Sequence, residues 1–264
     1  MMRRLFACLL ACLPVAAVAA ETPKVVNPGQ LTWGVSTTFA PFEFQKDGQT
    51  VGFDVDIMAE IGRRIGLTSN LLSMDYAGII PALSTGHRID AAVSGIYITP
   101  QRLEVIDMVP YLIIGDQIAA PAANPGKLTS KDDLCGHRML VVVTTNFEAK
   151  LKALSAACTA AGKPAIEITS LANSAAVSLA LAQGRGEGAL TSAATLASMM
   201  TTNPGAYVSV GEPFDVNTKV GIGIAKDNPV LRAQVEQALD AMGKDGSYAG
   251  MIKKWGLSPT SSIF

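Results

Sequence analysis

From Leu31 onward, short apolar runs alternate with segments of helical period, and the alternation occurs twice in one chain. Strands separated by helices lie side by side and parallel, so this order dictates an α/β protein with largely parallel sheets. In the first series, residues 31–35, Leu71-Leu72 and residues 91–94 read as strands, the last too apolar to face solvent. Asp54 is expected to N-cap a helix whose Ile57, Ile61 and Ile65 share one face and which Gly66 closes. Asp75 opens a second helix that runs through Leu83 and stops at Gly86. Thr99-Pro100 places a cap and then a proline at the start of a third. The second series has strands at 139–143, 166–168 and 189–190, with helices over 146–161, 174–183 and 191–200. Residues 207–210 and 220–225 are expected extended, and helices over 230–242 and 247–255 follow. Two similar α/β halves predict two lobes with a cleft between them. Ligands of open α/β sheets sit beyond the carboxyl ends of strands, so the turns after Val35, Ser94, Val143 and Leu190 carry the candidate site.

The first twenty residues are set apart by chemistry. Arg3 and Arg4 precede an apolar run over 5–19, and Ala17, Ala19 and Ala20 lead to the polar Glu21. Residues 1–20 therefore read as a cleaved signal peptide, short of the roughly 18–20 apolar residues that span a bilayer. Leu9-Leu10-Ala11-Cys12 offers the alternative of lipid attachment at Cys12, although the apolar run continues past it. Export implies an oxidising compartment. Cys8 and Cys12 lie in the leader, so Cys135 and Cys158 are expected to form a disulfide. Two cysteines without a histidine cluster cannot fill a zinc shell, and neither a metal nor another cofactor is expected. With 21 basic and 22 acidic residues and no basic block, nucleic acid is an unfitting partner.

The candidate turns carry a set of ordered motifs. They are Phe39-Ala-Pro-Phe-Glu-Phe44, Gly52-Phe-Asp-Val-Asp56, Asp75-Tyr-Ala-Gly-Ile-Ile-Pro-Ala-Leu83, Ser94-Gly-Ile-Tyr-Ile-Thr-Pro-Gln-Arg102, and Asp245-Gly-Ser-Tyr through Lys254-Trp-Gly256. In this order, across nearly the whole chain after the leader, they resemble the amino-acid-binding family of periplasmic solute-binding proteins. The resemblance implies the two-lobed, Venus-flytrap fold with two crossing hinge strands, near 114–119 and 219–222. One lobe would comprise 22–117 and 220–264, the other 118–219. It implies a periplasmic monomer that closes on a small carboxylate-bearing ligand and delivers it to an ABC-type permease.

By the same resemblance, Arg102 would hold the ligand's carboxylate, a task for which its planar fork of donors suits it. Gly95, beside Ser94, lets a backbone N–H approach that anion. Thr145 and Asn146 begin a helix, whose N–H groups attract negative charge from the opposite lobe. Phe39 and Tyr76 match positions where aromatic rings sandwich the ligand, while Phe42, Phe44 and Phe53 read as core. The sequence departs from the family at four positions. Ser36 and Ser192 stand where amino-acid binders place carboxylates for the ligand's ammonium, Tyr97 replaces a small hydroxyl residue, and Thr144 replaces a glycine. Enclosing an ammonium without a counter-charge costs several kcal/mol. A carboxylate without a free α-amino group is therefore the expected ligand, with a free amino acid as the alternative.

Two other classes share this fold. A cyclohexadienyl-dehydratase-like enzyme needs an acid at the cleft, and no acidic residue or histidine falls at an expected cleft turn. A periplasmic ligand sensor needs a membrane partner, and the segment up to Phe264 has no spanning run. Capture without catalysis is the expectation.

Overall fold

The computed structural model describes residues 22–123 and 128–264. The expected signal peptide over 1–20, with Cys12, lies outside the described residues. In chain order the first half holds strands β1 (Gln30–Val35), β2 (Thr38–Phe39), β3 (Glu43–Lys46) and β4 (Gln49–Val51), then helix α1 (Phe53–Ile65). Next come β5 (Thr68–Ser73), α2 (Tyr76–Ser84), β6 (Ala91–Ala92), α3 (Pro100–Val105) and the long β7 (Asp107–Pro121). The second half holds β8 (Arg138–Val142), α4 (Asn146–Ala160), β9 (Glu167–Leu171), α5 (Ser174–Ala182), β10 (Gly188–Ser192) and α6 (Ala193–Thr202). The long β11 (Tyr207–Ile224) then leads to α7 (Pro229–Asp245) and α8 (Ser247–Lys254).

The strands form one continuous hydrogen-bonded series, β5-β1-β6-β11-β7-β10-β8-β9, with β2-β3-β4 as a separate small sheet. On one side β1 is parallel to both β5 and β6; on the other β8 is parallel to both β9 and β10. The antiparallel pair β7–β11 joins the two. Fifteen and eighteen residues at about 3.3 Å each make strands near 50 Å or more, long enough to serve both lobes. The register of this ribbon shifts between Val210 and Phe214, between Phe214 and Thr218, and again between Val220 and Gly221. Such irregularities bend and twist a strand pair, and they lie between the two parallel sheets. The expected crossings are thus two strands of one bent ribbon.

Local sequence explains most element boundaries. Thr99 caps α3 with its side chain on the Arg102 N–H, and Pro100 opens the helix. Gly66, at φ 75°, ends α1 in the left-handed conformation. One expectation is corrected: Asp54 does not cap α1. Gly52 occupies the cap, and Asp54 sits in the first turn with its carboxylate accepting from Tyr111 Oη at 2.8 Å. Gly52 is required there. At φ 146° its added Cβ would fall 1.9 Å from the Phe42 carbonyl oxygen. The apolar face of α1 buries Ile57, Met58 and Ile61 completely, each contributing roughly 1.5–3 kcal/mol relative to exposure. Phe42 and Phe53 are fully buried, and Phe44 packs edge-on to Trp255. In the second half Cys135 and Cys158 are joined as a disulfide, tying α4 to the segment before β8. Among the described residues no helix is long and apolar enough to cross a membrane.

Candidate functional site

A cavity of about 660 Å³, the open space at its mouth included, lies between the two parallel sheets. Its first wall comes from the turns after β1 and β6. Ser36, Phe39, Tyr76, Ser94, Gly95 and Tyr97 all line it. Gly95 is at φ 54°, and a Cβ there would meet the Phe39 ring at 2.8 Å, so the glycine lets that ring lie against the turn. Phe39 in turn stacks on Phe42, 4.9 Å between centroids. The second wall comes from the start of α4, from α5, from β10 and from α6. It carries Val142, Thr145, Phe147, Val177, Leu190 and Met199, together with several hydroxyl residues.

Thr145 caps α4, its hydroxyl accepting from the Glu148 N–H at 3.2 Å and donating to the Val142 carbonyl at 2.6 Å. Asn146, the first residue of α4, does not line the cavity. Ser192 does not line it either. It is fully buried and caps α6 with its hydroxyl on the Thr195 N–H at 3.0 Å, while its neighbours Thr191 and Thr195 reach the wall. No charged side chain lines the cavity among the described residues.

Arg102 stands beside the cavity rather than in its wall. It borders an adjoining space with Tyr76 and Thr144, and Tyr76 is common to both. Its Nη1 donates to the Tyr97 carbonyl at 2.8 Å, and its Nη2 to Tyr76 Oη and the Thr144 carbonyl, both at 3.4 Å. The last contact spans the cleft. Tyr97 spans it too, packing edge-on against Phe147 with centroids 5.3 Å apart. Thr144, where the family resemblance expects glycine, adopts φ 61° although it is β-branched.

Sequence reasoning missed two buried clusters. Tyr97 Oη donates to Asp116 Oδ1 at 2.6 Å, and Asp116, fully buried on β7, also receives Lys150 Nζ from α4. Lys150 reaches Asp215 as well, at 2.6 Å. Burial raises the Asp116 carboxyl above its ordinary range, against the lowering effect of the Lys150 and Tyr97 hydrogen bonds. These residues are far apart in sequence, and only the pairing of Asp116 with Ser192 across β7 and β10 brings them to the site. The second cluster is Glu43 and Asp54, buried behind the Ser94–Gly95 turn. Glu187, by contrast, is held away from the cavity by His137 Nδ1 at 2.9 Å and the Arg138 N–H at 3.0 Å.

Two α/β lobes joined by a two-strand ribbon, with a cavity lined from both, define a solute-binding protein. Residues 31–258 match the model of bacterial extracellular solute-binding proteins, family 3, and the chain belongs to that family. It is 30% identical over 237 residues to the probable ABC transporter arginine-binding protein ArtJ of Chlamydia trachomatis serovar D, covering 88% of each chain. Among solved structures it resembles an ancestral arginine-binding protein bound to glutamine, with TM-score 0.79 and 31% identity over 86% of this chain and 97% of that one. It also resembles the ancestral amino acid-binding protein AncCDT-1, a precursor of cyclohexadienyl dehydratase, with TM-score 0.75 and 28% identity over 86% of this chain and 95% of that one.

Proposed function

We propose that this protein captures a small amino-acid-like carboxylate between its lobes outside the cytoplasmic membrane and hands it to an ABC-type importer. Residues 22–117 with 220–264 form one lobe in this reading and 118–219 the other. Arg102 meets the ligand carboxylate by swinging from the Tyr76 hydroxyl, assisted by the N–H of Gly95. Phe39 and Tyr76 flank the ligand body. Ser36, Ser94, Tyr97 and Thr145 complete the contacts, with Asn146 and Ser192 acting through the helix starts they occupy.

The observation that carries the reading is a cavity bordered by an arginine and, among the described residues, lined by no carboxylate. A free α-ammonium would be enclosed without an ionic partner, at a cost of several kcal/mol. We infer a ligand whose amine is absent or modified. The names of the relatives favour the second reading, a free amino acid. Among the described residues the lining holds neither carboxylate nor imidazole, which favours capture over dehydratase chemistry.

The test is a thermal-shift screen of ligand-stripped protein against amino acids, keto and hydroxy acids and aromatic carboxylates. Ligand at a hundred times its Kd adds about 2.7 kcal/mol of stability. Hits confined to carboxylates without an amine support the first reading, and tight binding of an unmodified amino acid overturns it. Turnover of prephenate or arogenate by the same preparation would establish the enzyme instead.

A further inference from the structure

Glu43 on β3 and Asp54 in the first turn of α1 are fully buried in the same part of the core, the Asp54 N–H donating at 2.9 Å to the carbonyl of Phe42, the residue before Glu43. Around them every other polar neighbour is a donor. Ser94 Oγ donates to Glu43 Oε1 at 2.5 Å, and Ser94 Oγ itself accepts from the Ser36 N–H at 3.3 Å. Tyr111 Oη, from β7, donates to Asp54 Oδ2 at 2.8 Å, and the Gly95 N–H bonds the same carboxyl group. These bonds leave one buried oxygen on each acid, Glu43 Oε2 and Asp54 Oδ1, without a hydrogen-bond partner.

Two carboxylate oxygens have nothing to donate, so a hydrogen bond between the acids requires a proton. Two ionised carboxylates in contact inside a core are disfavoured twice, by desolvation and by repulsion. We propose that Glu43 and Asp54 share one proton, Glu43 Oε2–H donating to Asp54 Oδ1, and that this acid pair positions Ser94 and Gly95 in the cavity wall. The functional part rests on the reading that this turn contacts the ligand. The groups facing the pair come from β3, α1, β7 and the turns after β1 and β6. They are hydroxyls and backbone N–H groups, with Tyr76 and Tyr248 as further neutral phenols nearby.

The direction of titration agrees. Burial pushes the Glu43 carboxyl well above its usual range, and the Asp54 charge adds to this. Burial also raises Asp54, to about 6, against the lowering effect of its hydrogen bonds from Glu43, Tyr111 and Gly95. A group whose value is raised by folding stabilises the fold fully below its unfolded value. That contribution is lost as pH rises through the folded one. Alkaline pH therefore puts a second charge behind the turn and loosens it.

Glu43→Gln tests this, because its amide N–H replaces the shared proton and its carbonyl still accepts from Ser94. Three readouts need no ligand. They are the infrared carbonyl stretch of a protonated carboxyl group, the pH dependence of the urea midpoint, and amide exchange at Ser94 and Gly95. The wild-type protein should show a protonated-acid band at neutral pH that the Gln variant lacks. As pH rises from neutral into the alkaline range its two amides should lose roughly tenfold protection, after correction for intrinsic exchange, while the variant keeps it. A wild-type protein without the band, a band surviving in Glu43→Gln, or equal pH dependence in both proteins overturns the proposal. If Glu43→Gln misfolds, Asp54→Asn makes a second test: without the Asp54 charge Glu43 should ionise at lower pH than in the wild-type protein, and an unchanged titration of its band overturns the proposal. Because no ligand is used, these results stand whatever the solute screen finds.

Discussion

The first lobe presents the cavity with three aromatic rings and a turn anchored on buried acids, whereas the second presents mostly aliphatic side chains, the single ring of Phe147 and helix caps. Phe39, Tyr76 and Tyr97 face Val142, Val177, Leu190 and Met199. Behind the first wall lie Glu43, Asp54 and Tyr111, all without solvent exposure. Behind the second lies Ser192, a neutral cap. Two contacts that cross the cleft, to Phe147 and to the Thr144 carbonyl, start from lobe 1 residues, Tyr97 and Arg102. The difference teaches a division of labour. In the proposed reading one lobe fixes the carboxylate and the ligand plane, and the other, lined by aliphatic side chains and hydroxyls, sets what else the ligand can carry.

Removing the charge beside the first wall is the most damaging way to test that division. Arg102→Ala should weaken binding of any hit from the solute screen by at least about a hundredfold, the scale on which truncating one partner of a buried charge pair acts. The fold should survive, since Arg102 makes no ion pair with another side chain among the described residues. Isothermal titration calorimetry beside circular dichroism reads both. A loss of threefold or less would move the carboxylate site off this lobe. Next in size is the staple of the second lobe. Replacing Cys135 and Cys158 with serine reopens a loop spanning 23 positions and should cost about 3 kcal/mol in urea unfolding. An unchanged midpoint would show that this lobe's packing holds without it. Lys150→Met leaves Asp116 with only the Tyr97 hydroxyl, and should cost about 2 kcal/mol, below the 3–5 of a fully buried pair because Lys150 is partly exposed.

The same contrast explains what could be read from the sequence. Strongly periodic elements were legible because each is a local pattern: α1 from its isoleucines, α3 from Thr99-Pro100, β10 and α6 from a buried run meeting a helical one. The β2-β3-β4 sheet was not, since strands of two to four residues have too few positions to show alternation. Asp54 was read as a cap because an acid before an apolar helix has that signature. Only the path of Phe42 over Gly52 reveals that the carboxylate turns inward. Seven of the ten candidate ligand residues lie in the cavity wall, because turns after parallel strands converge for topological reasons. Lys150, Asp116 and Asp215 form a cluster that no local spacing encodes, and Tyr97 enters it because its phenol is long enough to cross the ribbon.

A gain of function probes the second wall. Ser192→Asp keeps an N-cap acceptor for the Thr195 N–H, so α6 should persist. It also returns a carboxylate to the position where amino-acid binders carry one. The ratio of affinities for an α-amino acid over its keto analogue should rise about tenfold, or roughly 1.4 kcal/mol, in paired titrations. An unchanged ratio would mean that Ser192, buried behind Thr191 and Thr195, is not in electrostatic reach of the ligand.

The smallest expected effect concerns Thr144, at the lip of the second wall. A left-handed conformation costs an L-residue roughly 1–2 kcal/mol, whereas glycine adopts it freely. Glycine also has more backbone freedom to lose on folding, about 0.5–1 kcal/mol, so Thr144→Gly should stabilise the protein by less than about 1 kcal/mol. The Thr144 N–H is held by Glu148 Oε2 at 2.8 Å, and its carbonyl accepts from Arg102 across the cleft. Strain retained at such a point fits a preorganised contact rather than a packing accident. Thr144→Gly should then gain thermal stability while binding the carboxylate about threefold less tightly, because a freer carbonyl no longer helps to aim the guanidinium. Higher stability with unchanged affinity would separate the two. The second lobe's part in aiming Arg102 would then be nil, and the division between the lobes sharper still.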